Sequence, residues 1–185
     1  VTGVQTCALP ISKIYKLSKE NKFTYTGKDL PFASKIQILN EYKSYLMFKK
    51  NLWIRKDDVK TINHKIKNFI YILNLFRNVK YKWGGKTFKG IDCSGLVQII
   101  YNYNNKFFPR DTVDQIKFKK GLKYKKKFKN GDIIVCKEHV GICLNSKELI
   151  HAYGPRKKVL IMPINQTIKL IEKTAGLKVK KIFSI

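Results

Sequence analysis

Two histidines on neighbouring strands constrain this chain more than any other feature. His139 opens an apolar run, HVGICL, and His151 lies within a second, ELIHAY, with the turn residues Asn145, Ser146 and Lys147 between them. An antiparallel hairpin centred on Asn145 or Ser146 sets residue 139 opposite residue 151 or 153. Side chains alternate with period two, so either register puts both imidazoles on the same face. One ring can then orient the other. The spacing predicts strands over 132–136, 139–144, 148–153, 159–162 and 179–183, and a helix with Leu96, Val97, Ile100 and Tyr103 inward comes before them. The long stretch FFPRDTVDQ between them reads as a loop. A helix followed by an antiparallel strand series is an α+β layout.

Cys93 supplies the third element. It sits in IDCSG, after a glycine-marked loop and in the first turn of the predicted helix. The partial positive charge of a helix N-terminus favours thiolate over thiol. A nucleophile, a base and a group that orients the base make up the logic of a catalytic triad. Cys136 and Cys143 lie in apolar strand sequence and read as small core hydrophobes. His64, near the start of an earlier helix, reads as a surface residue. A metal site built from Cys93, Cys136, Cys143, His139 and His151 is disfavoured, because no CxxC or Hx₃₋₅H spacing is present. No cofactor is expected.

The N-terminal part has a different texture. Ile36 and Ile38 alternate with Lys35 and Gln37, Tyr42 to Phe48 is β-rich, and Leu52 to Ile54 forms a third run. Turns are expected at Gly27, Asp29 and Pro31, at Lys50-Asn51 and at Asp57-Asp58. Several short strands in about 50 residues suggest a small barrel. The stretch LPFASKIQILNEYKSYLMFKKNLWIRKDDV resembles a bacterial SH3-like domain. A linking helix should follow, capped by Asn63, with Ile66, Phe69, Ile70, Leu73 and Phe76 on one apolar face. The first eleven residues, VTGVQTCALPI, hold no Lys, Asn or acidic residue and resemble the translation of a sequencing-library adapter. They are set aside as non-native, and a lipoprotein signal ending at Cys7 fits them poorly. The expected organisation is residues 1–11 as that segment, 12–62 as an SH3-like barrel lacking part of its N-terminus, and 63–185 as the catalytic domain.

The net charge is +27, yet only four of the 39 basic residues are arginine. Phosphate and base recognition favour the planar guanidinium, so a lysine excess argues against nucleic acid. A genome-wide bias toward AT-rich codons accounts for the charge, and attraction to an anionic wall polymer or membrane is the sharper alternative. No apolar run reaches the roughly 18 residues of a membrane span.

Six motifs then occur in order: YKWGG at 81–85, IDCSGLV at 91–97, PRDT at 109–112, NGD at 130–132, HVGI at 139–142 and IHA at 150–152. Together they resemble the NlpC-type cell-wall cysteine peptidases, over roughly residues 78–164. Asn130 stands where that family more often has proline. The resemblance implies a papain-like core, with a helix packed on an antiparallel sheet, and an SH3-like domain before it is a known arrangement of the family. It also implies a cysteine peptidase that cleaves murein peptides at a γ-D-glutamyl–diamino acid bond. By the same resemblance Cys93 is the nucleophile, His139 the base and His151 its orienter. Tyr81 and Asp92 match positions contacting the N-terminal side of the substrate, and Ser94, Arg110 and Thr112 match positions near its D-Glu carboxylate. Asp92 as a helix cap and Arg110 as a loop brace are the structural alternatives. Amidase or acyl-transfer chemistry on the same thiol scaffold, or an inactive wall-binding module, are the competing functions. The SH3-like domain is expected either to bind wall polymer or to block one end of the groove. The compartment stays open between cytoplasm and cell envelope. A thiolate–imidazolium pair should give a bell-shaped dependence of activity on pH, whereas a profile flat from pH 5 to 10 would speak against it.

Overall fold

The computed structural model describes residues 3–7, 10–65 and 68–185. The chain folds as two compact units, Val1–Lys67 with Asn102–Lys106, and Asn68–Tyr101 with Phe107–Ile185.

The first unit is built from short antiparallel strands: β1 (Gly3–Cys7), β2 (Ile11–Leu17), β3 (Phe23–Pro31), β4 (Lys35–Ile38), β5 (Asn40–Tyr42), β6 (Tyr45–Lys49), β7 (Leu52–Arg55) and β8 (Val59–Thr61). They form one sheet in the order β4-β1-β8 and another in the order β3-β2-β7-β6-β5. The alternation of Ile36 and Ile38 with Lys35 and Gln37 is what buries one face of β4 and wets the other. The run from Tyr42 to Phe48 is a hairpin, turned at Lys43 with a positive φ of 53°. Gly27, Asp29 and Pro31 do not make the expected turn. Strand β3 runs through them, and Gly27 at φ +75° takes up a register shift against β2. The opening segment set aside on its texture contributes a strand. Gly3–Cys7 pairs with both β4 and β8, and Cys7 is fully buried with Ile36, Ile38, Leu46, Ile54 and Val59. Of that segment, Val1, Thr2, Ala8 and Leu9 lie outside the described residues.

The second unit opens with α1 (Phe69–Leu75). Its cap is Asn68, whose side chain accepts from the Ile70 amide at 3.2 Å, and not Asn63. Ile66 lies outside the described residues. The buried face of the helix carries Ile72, Leu73 and Phe76. Two short strands, β9 (Lys86–Thr87) and β10 (Gly90–Ile91), lead into α2 (Cys93–Tyr103). Leu96, Val97, Ile99, Ile100, Tyr101 and Tyr103 of α2 are all buried, so this helix is apolar nearly all round and sits in a core. The expected loop at FFPRDTVDQ is partly a helix, α3 (Thr112–Phe118), which buries Thr112 and Gln115 one turn apart.

The main sheet combines β11 (Asp132–Cys136), β12 (Val140–Cys143), β13 (Glu148–Tyr153), β14 (Lys158–Pro163) and β15 (Val179–Ser184) in the order β14-β13-β12-β11-β15, every pair antiparallel. Between β14 and β15 lies α4 (Ile164–Ala175), which packs Ile164, Ile168 and Ile171 against Ile134, Cys136, Cys143 and Leu149 of the sheet. Helix on antiparallel sheet is the α+β arrangement expected. Among the described residues no helix is long and apolar enough to cross a membrane.

Asp132, at the start of β11, is fully buried. It accepts from the Lys125 ammonium, from the Lys129 amide at 2.9 Å and from the Ser184 hydroxyl at 2.8 Å. Burial alone would raise its pKa, but these three donors outweigh it and hold the carboxyl below its ordinary range. Its charge therefore stabilises the fold above the unfolded pKa, and that contribution is lost on strong acidification. Asp132→Ala strands a half-buried ammonium and two donors, and should cost about 2–4 kcal/mol. Thermal melts at neutral pH check this, and an unchanged midpoint would show that the cluster does not hold β11 to β15.

Candidate active site

Local sequence explains why Cys93 stands where it does. Asp92 caps α2, accepting from the Gly95 amide at 2.7 Å and from the Ser94 hydroxyl at 3.1 Å through Oδ1. Its Oδ2 accepts from the Gly84 amide at 2.8 Å, which draws the YKWGG loop onto the helix start. Only glycine fits at two contacts there. A β-carbon on Gly95 would lie 2.6 Å from the Gly85 carbonyl oxygen, and one on Gly85 would lie 2.4 Å from that of Gly90. The first turn of α2 is thus pressed against the loop, with the Cys93 side chain 6% exposed at its tip.

The Cys93 sulfur lies 4.0 Å from the carbonyl oxygen of Glu138, and the Val140 amide points at it. The backbone on both sides of His139 therefore brackets the sulfur. His139 Nε2 is 2.8 Å from Nδ1 of His151. The hairpin register pairs Ile142 with Ile150 and Cys143 with Leu149, so continuing it sets residue 139 opposite 153, one of the two registers expected. The His151 ring is fully buried and stacks on Tyr153 with centroids 5.0 Å apart.

The other expected residues surround this group. Arg110 grips both carboxylate oxygens of Asp92 and donates to Ser94 Oγ at 2.6 Å. Asp92 is therefore both a cap and an ion-pair partner, and it fills the guanidinium fork. Thr112 donates to the Lys137 carbonyl at 2.9 Å, tying α3 to the loop before His139. Tyr81 is half-buried against Gly154, and burial, followed by the charges of Cys93 and Asp92, raises its pKa. Gln115 is a residue that the sequence pattern did not single out. It is fully buried and bridges the carbonyls of Ser94 and Pro109 at 3.2 and 3.0 Å, tying α2 to the segment that carries Arg110. A loop reading of 107–115 hides it, although Thr112 and Gln115 stand at helical spacing.

His64 is exposed, and Cys136 and Cys143 are buried free thiols. Among the described residues no three His, Cys, Asp or Glu side chains gather as metal ligands.

The electrostatics differ from the thiolate expected at a helix start. Burial pushes the Cys93 thiol up to about 11, with Asp92 adding to it, and the amides of Val140, Ser94 and Cys93 only partly offset this. Burial takes His139 down to about 4 and, with His139 beside it, His151 down to about 3. Burial therefore works against the charged form of each of these three groups.

A sequence model of the NlpC/P60 family matches residues 78–174. The chain belongs to the NlpC/P60 family. It is 31% identical over 101 residues to the gamma-D-glutamyl-L-lysine dipeptidyl-peptidase of Bacillus subtilis, covering 50% of this chain and 34% of that protein. It is 31% identical over 97 residues to the murein DD-endopeptidase MepS/murein LD-carboxypeptidase of Escherichia coli, covering 49% of this chain and 50% of the relative. A match to the Bacillus cereus gamma-D-glutamyl-L-lysine dipeptidyl-peptidase is weaker, at 25%, but runs over 80% of this chain and 50% of that protein. The chain thus spans half or less of the length of these peptidases. A solved NlpC/P60 family protein from Bacillus cereus superimposes with a TM-score of 0.69 at 22% identity, over 88% of this chain and 58% of that one. The mixed helix and antiparallel-sheet fold of the family is therefore present.

A pair able to pass the Cys93 proton to His139 holds one proton. It gains a second as pH falls through the His139 value near 4 and loses its only one as pH rises through the Cys93 value near 11. Activity should be flat across the neutral range with limbs at both ends. A plateau from pH 5 to 10 would speak against a standing ion pair and for a neutral one. Alkylation of Cys93 by iodoacetamide, which reads thiolate, should be slow at pH 7 and climb into the alkaline range. A rate already maximal near pH 6 would show a standing thiolate.

Proposed function

We propose that this chain is a thiol peptidase that hydrolyses murein peptides at the γ-D-glutamyl–diamino acid bond, with Cys93, His139 and His151 as its triad. The observation that carries this reading is the hydrogen bond of 2.8 Å between the two imidazoles, with the Cys93 sulfur held by the Glu138 carbonyl and the Val140 amide that flank residue 139. The choice of bond is supported by the Bacillus cereus relative, whose alignment runs beyond the residues matched by the family and into the N-terminal unit. The alignment with MepS, named for other murein bonds, covers only 49% of the chain. We read the N-terminal unit as an SH3-like barrel on the order and shortness of its strands.

The steps follow from the proton arrangement. The thiol proton passes to Nδ1 of His139 as the sulfur attacks the substrate carbonyl carbon. The Cys93 amide at the start of α2 donates to the developing oxyanion, and losing one such donor typically costs about 10²–10³ in rate. The tetrahedral intermediate collapses to a thioester as His139 gives its proton to the leaving amine. His139 then takes a proton from water, and the hydroxyl adds to the thioester. Collapse releases the carboxyl product and returns the proton to sulfur. Tyr81 and Asp92 face the N-terminal side of the peptide. Ser94, Arg110 and Thr112 lie toward the D-Glu carboxylate. Because Asp92 and Ser94 take three of the five Arg110 donors in the free chain, that carboxylate meets the two guanidinium N–H groups left over.

Anionic wall polymer is the second proposed partner, favoured by a cavity of about 470 Å³. Lys123, Lys126 and Lys169, with Lys125 held by Asp132 and Lys178 by Glu172, surround a floor that includes Phe128, Ile168 and Val179. Rows of lysine suit repeating single charges better than planar carboxylates.

Incubation with L-Ala-γ-D-Glu-diamino acid should release the dipeptide L-Ala-D-Glu, and Cys93→Ala should abolish release. Unchanged cleavage by that variant would overturn the nucleophile assignment, and tight binding without turnover by the native chain would favour a wall-binding module. Replacing Lys123, Lys126 and Lys169 together by Ala should weaken salt-dependent binding of poly(glycerol phosphate) roughly tenfold while peptide turnover stays the same. Equal affinity would rule the cavity out.

A further inference from the structure

The hydrogen-bond chain does not end at His151. Its Nε2 lies 3.3 Å from Sδ of Met162. Strand register explains the meeting: β13 and β14 pair Leu149 with Met162 and His151 with Leu160, so His151 and Met162 are diagonal neighbours on one sheet face. A thioether sulfur carries lone pairs and no hydrogen, so it can only accept. A bare ring nitrogen at that distance would set lone pair against lone pair. The His151 ring is fully buried and stacked on Tyr153, so tilting it toward another partner would displace that stack, and a half-turn that keeps its plane would break the bond to His139.

We infer that Met162 is a positioning residue that fixes the protons of the two imidazoles and thereby makes His139 a base. With the Nε2 hydrogen of His151 directed at Met162, Nδ1 of the same neutral ring is a bare acceptor. Its neighbour at 2.8 Å, Nε2 of His139, must then carry a hydrogen and donate it. A neutral His139 protonated on Nε2 has its Nδ1 bare, and that is the atom needed to take the thiol proton. Without the sulfur, His151 can hold its hydrogen on Nδ1 instead. His139 Nε2 then accepts, its Nδ1 carries the hydrogen, and the ring cannot serve as a base. The inference rests on the reading of Cys93 and His139 as nucleophile and base. Its first half, the tautomer of His151, stands on geometry alone.

The test uses the full chain with Met162→Leu, which keeps volume and removes the acceptor, and Met162→Gln, which restores an acceptor through its amide oxygen. Imidazole ¹⁵N spectra of histidine-labelled protein should show His151 as a single Nε2-protonated tautomer in the native chain. In Met162→Leu the two tautomers should mix. On the murein tripeptide, kcat should fall roughly three- to tenfold, the effect of one neutral hydrogen bond on a tautomer ratio, with KM little changed. Met162→Gln should return the single tautomer and most of kcat. A native His151 protonated on Nδ1 would overturn the inference, and so would an unmixed tautomer with unaltered kcat in Met162→Leu. If Met162→Leu fails to fold, Met162→Gln decides, because a Gln variant with mixed tautomers also counts against the role. Failure of the catalytic reading is seen separately, as turnover that survives Cys93→Ala, and leaves the ¹⁵N result standing.

Discussion

One buried carboxylate organises the front of the second unit. Asp92 ends the loop that begins at Tyr81, caps the helix that presents Cys93, and holds the guanidinium of Arg110 from a segment eighteen residues further along. A charge this deep survives only with full compensation, and its five hydrogen bonds come from three stretches of backbone and side chain. Those stretches are positioned because they are what makes the buried charge tolerable. The glycines at 85 and 95 serve the same end, since a side chain at either would push loop and helix apart and open the carboxylate to water.

A second line of order runs through the sheet. His139 is the residue just before β12, His151 lies on β13 and Met162 on β14, and Tyr153 closes the ring stack. Strand register sets the meeting of His151 with Met162, and the residue leading into β12 brings the His139 ring to His151. The two lines meet at the sulfur, which belongs to the helix by covalent bond and to the hairpin by its neighbours, the Glu138 carbonyl and the Val140 amide.

Much of this is legible in the residues themselves. Strands 132–136 and 148–153 match the apolar runs because each is bounded by turn residues, and the shared face of the two histidines follows from period two whichever register the turn selects. Four features escape. The helix 164–175 places Ile164, Ile168 and Ile171 at helical spacing, but lysines and polar residues interrupt the pattern. The helix after Arg110 is only two turns long, so its Thr and Gln read as loop chemistry. The opening strand hides behind its foreign texture, although pairing depends on backbone groups and on one buried thiol rather than on lysine content. The charge state of Cys93 depends on how deeply the helix tip is covered, and no local pattern encodes that. The amides at the helix start do favour thiolate, but burial acts the other way and outweighs them.

That depth has a consequence for life with oxidants. Peroxides and disulfides react with the ionised form of cysteine, so a side chain only 6% exposed, whose ionisation burial opposes, offers them little. Any chemistry at this sulfur has to begin with removal of its proton.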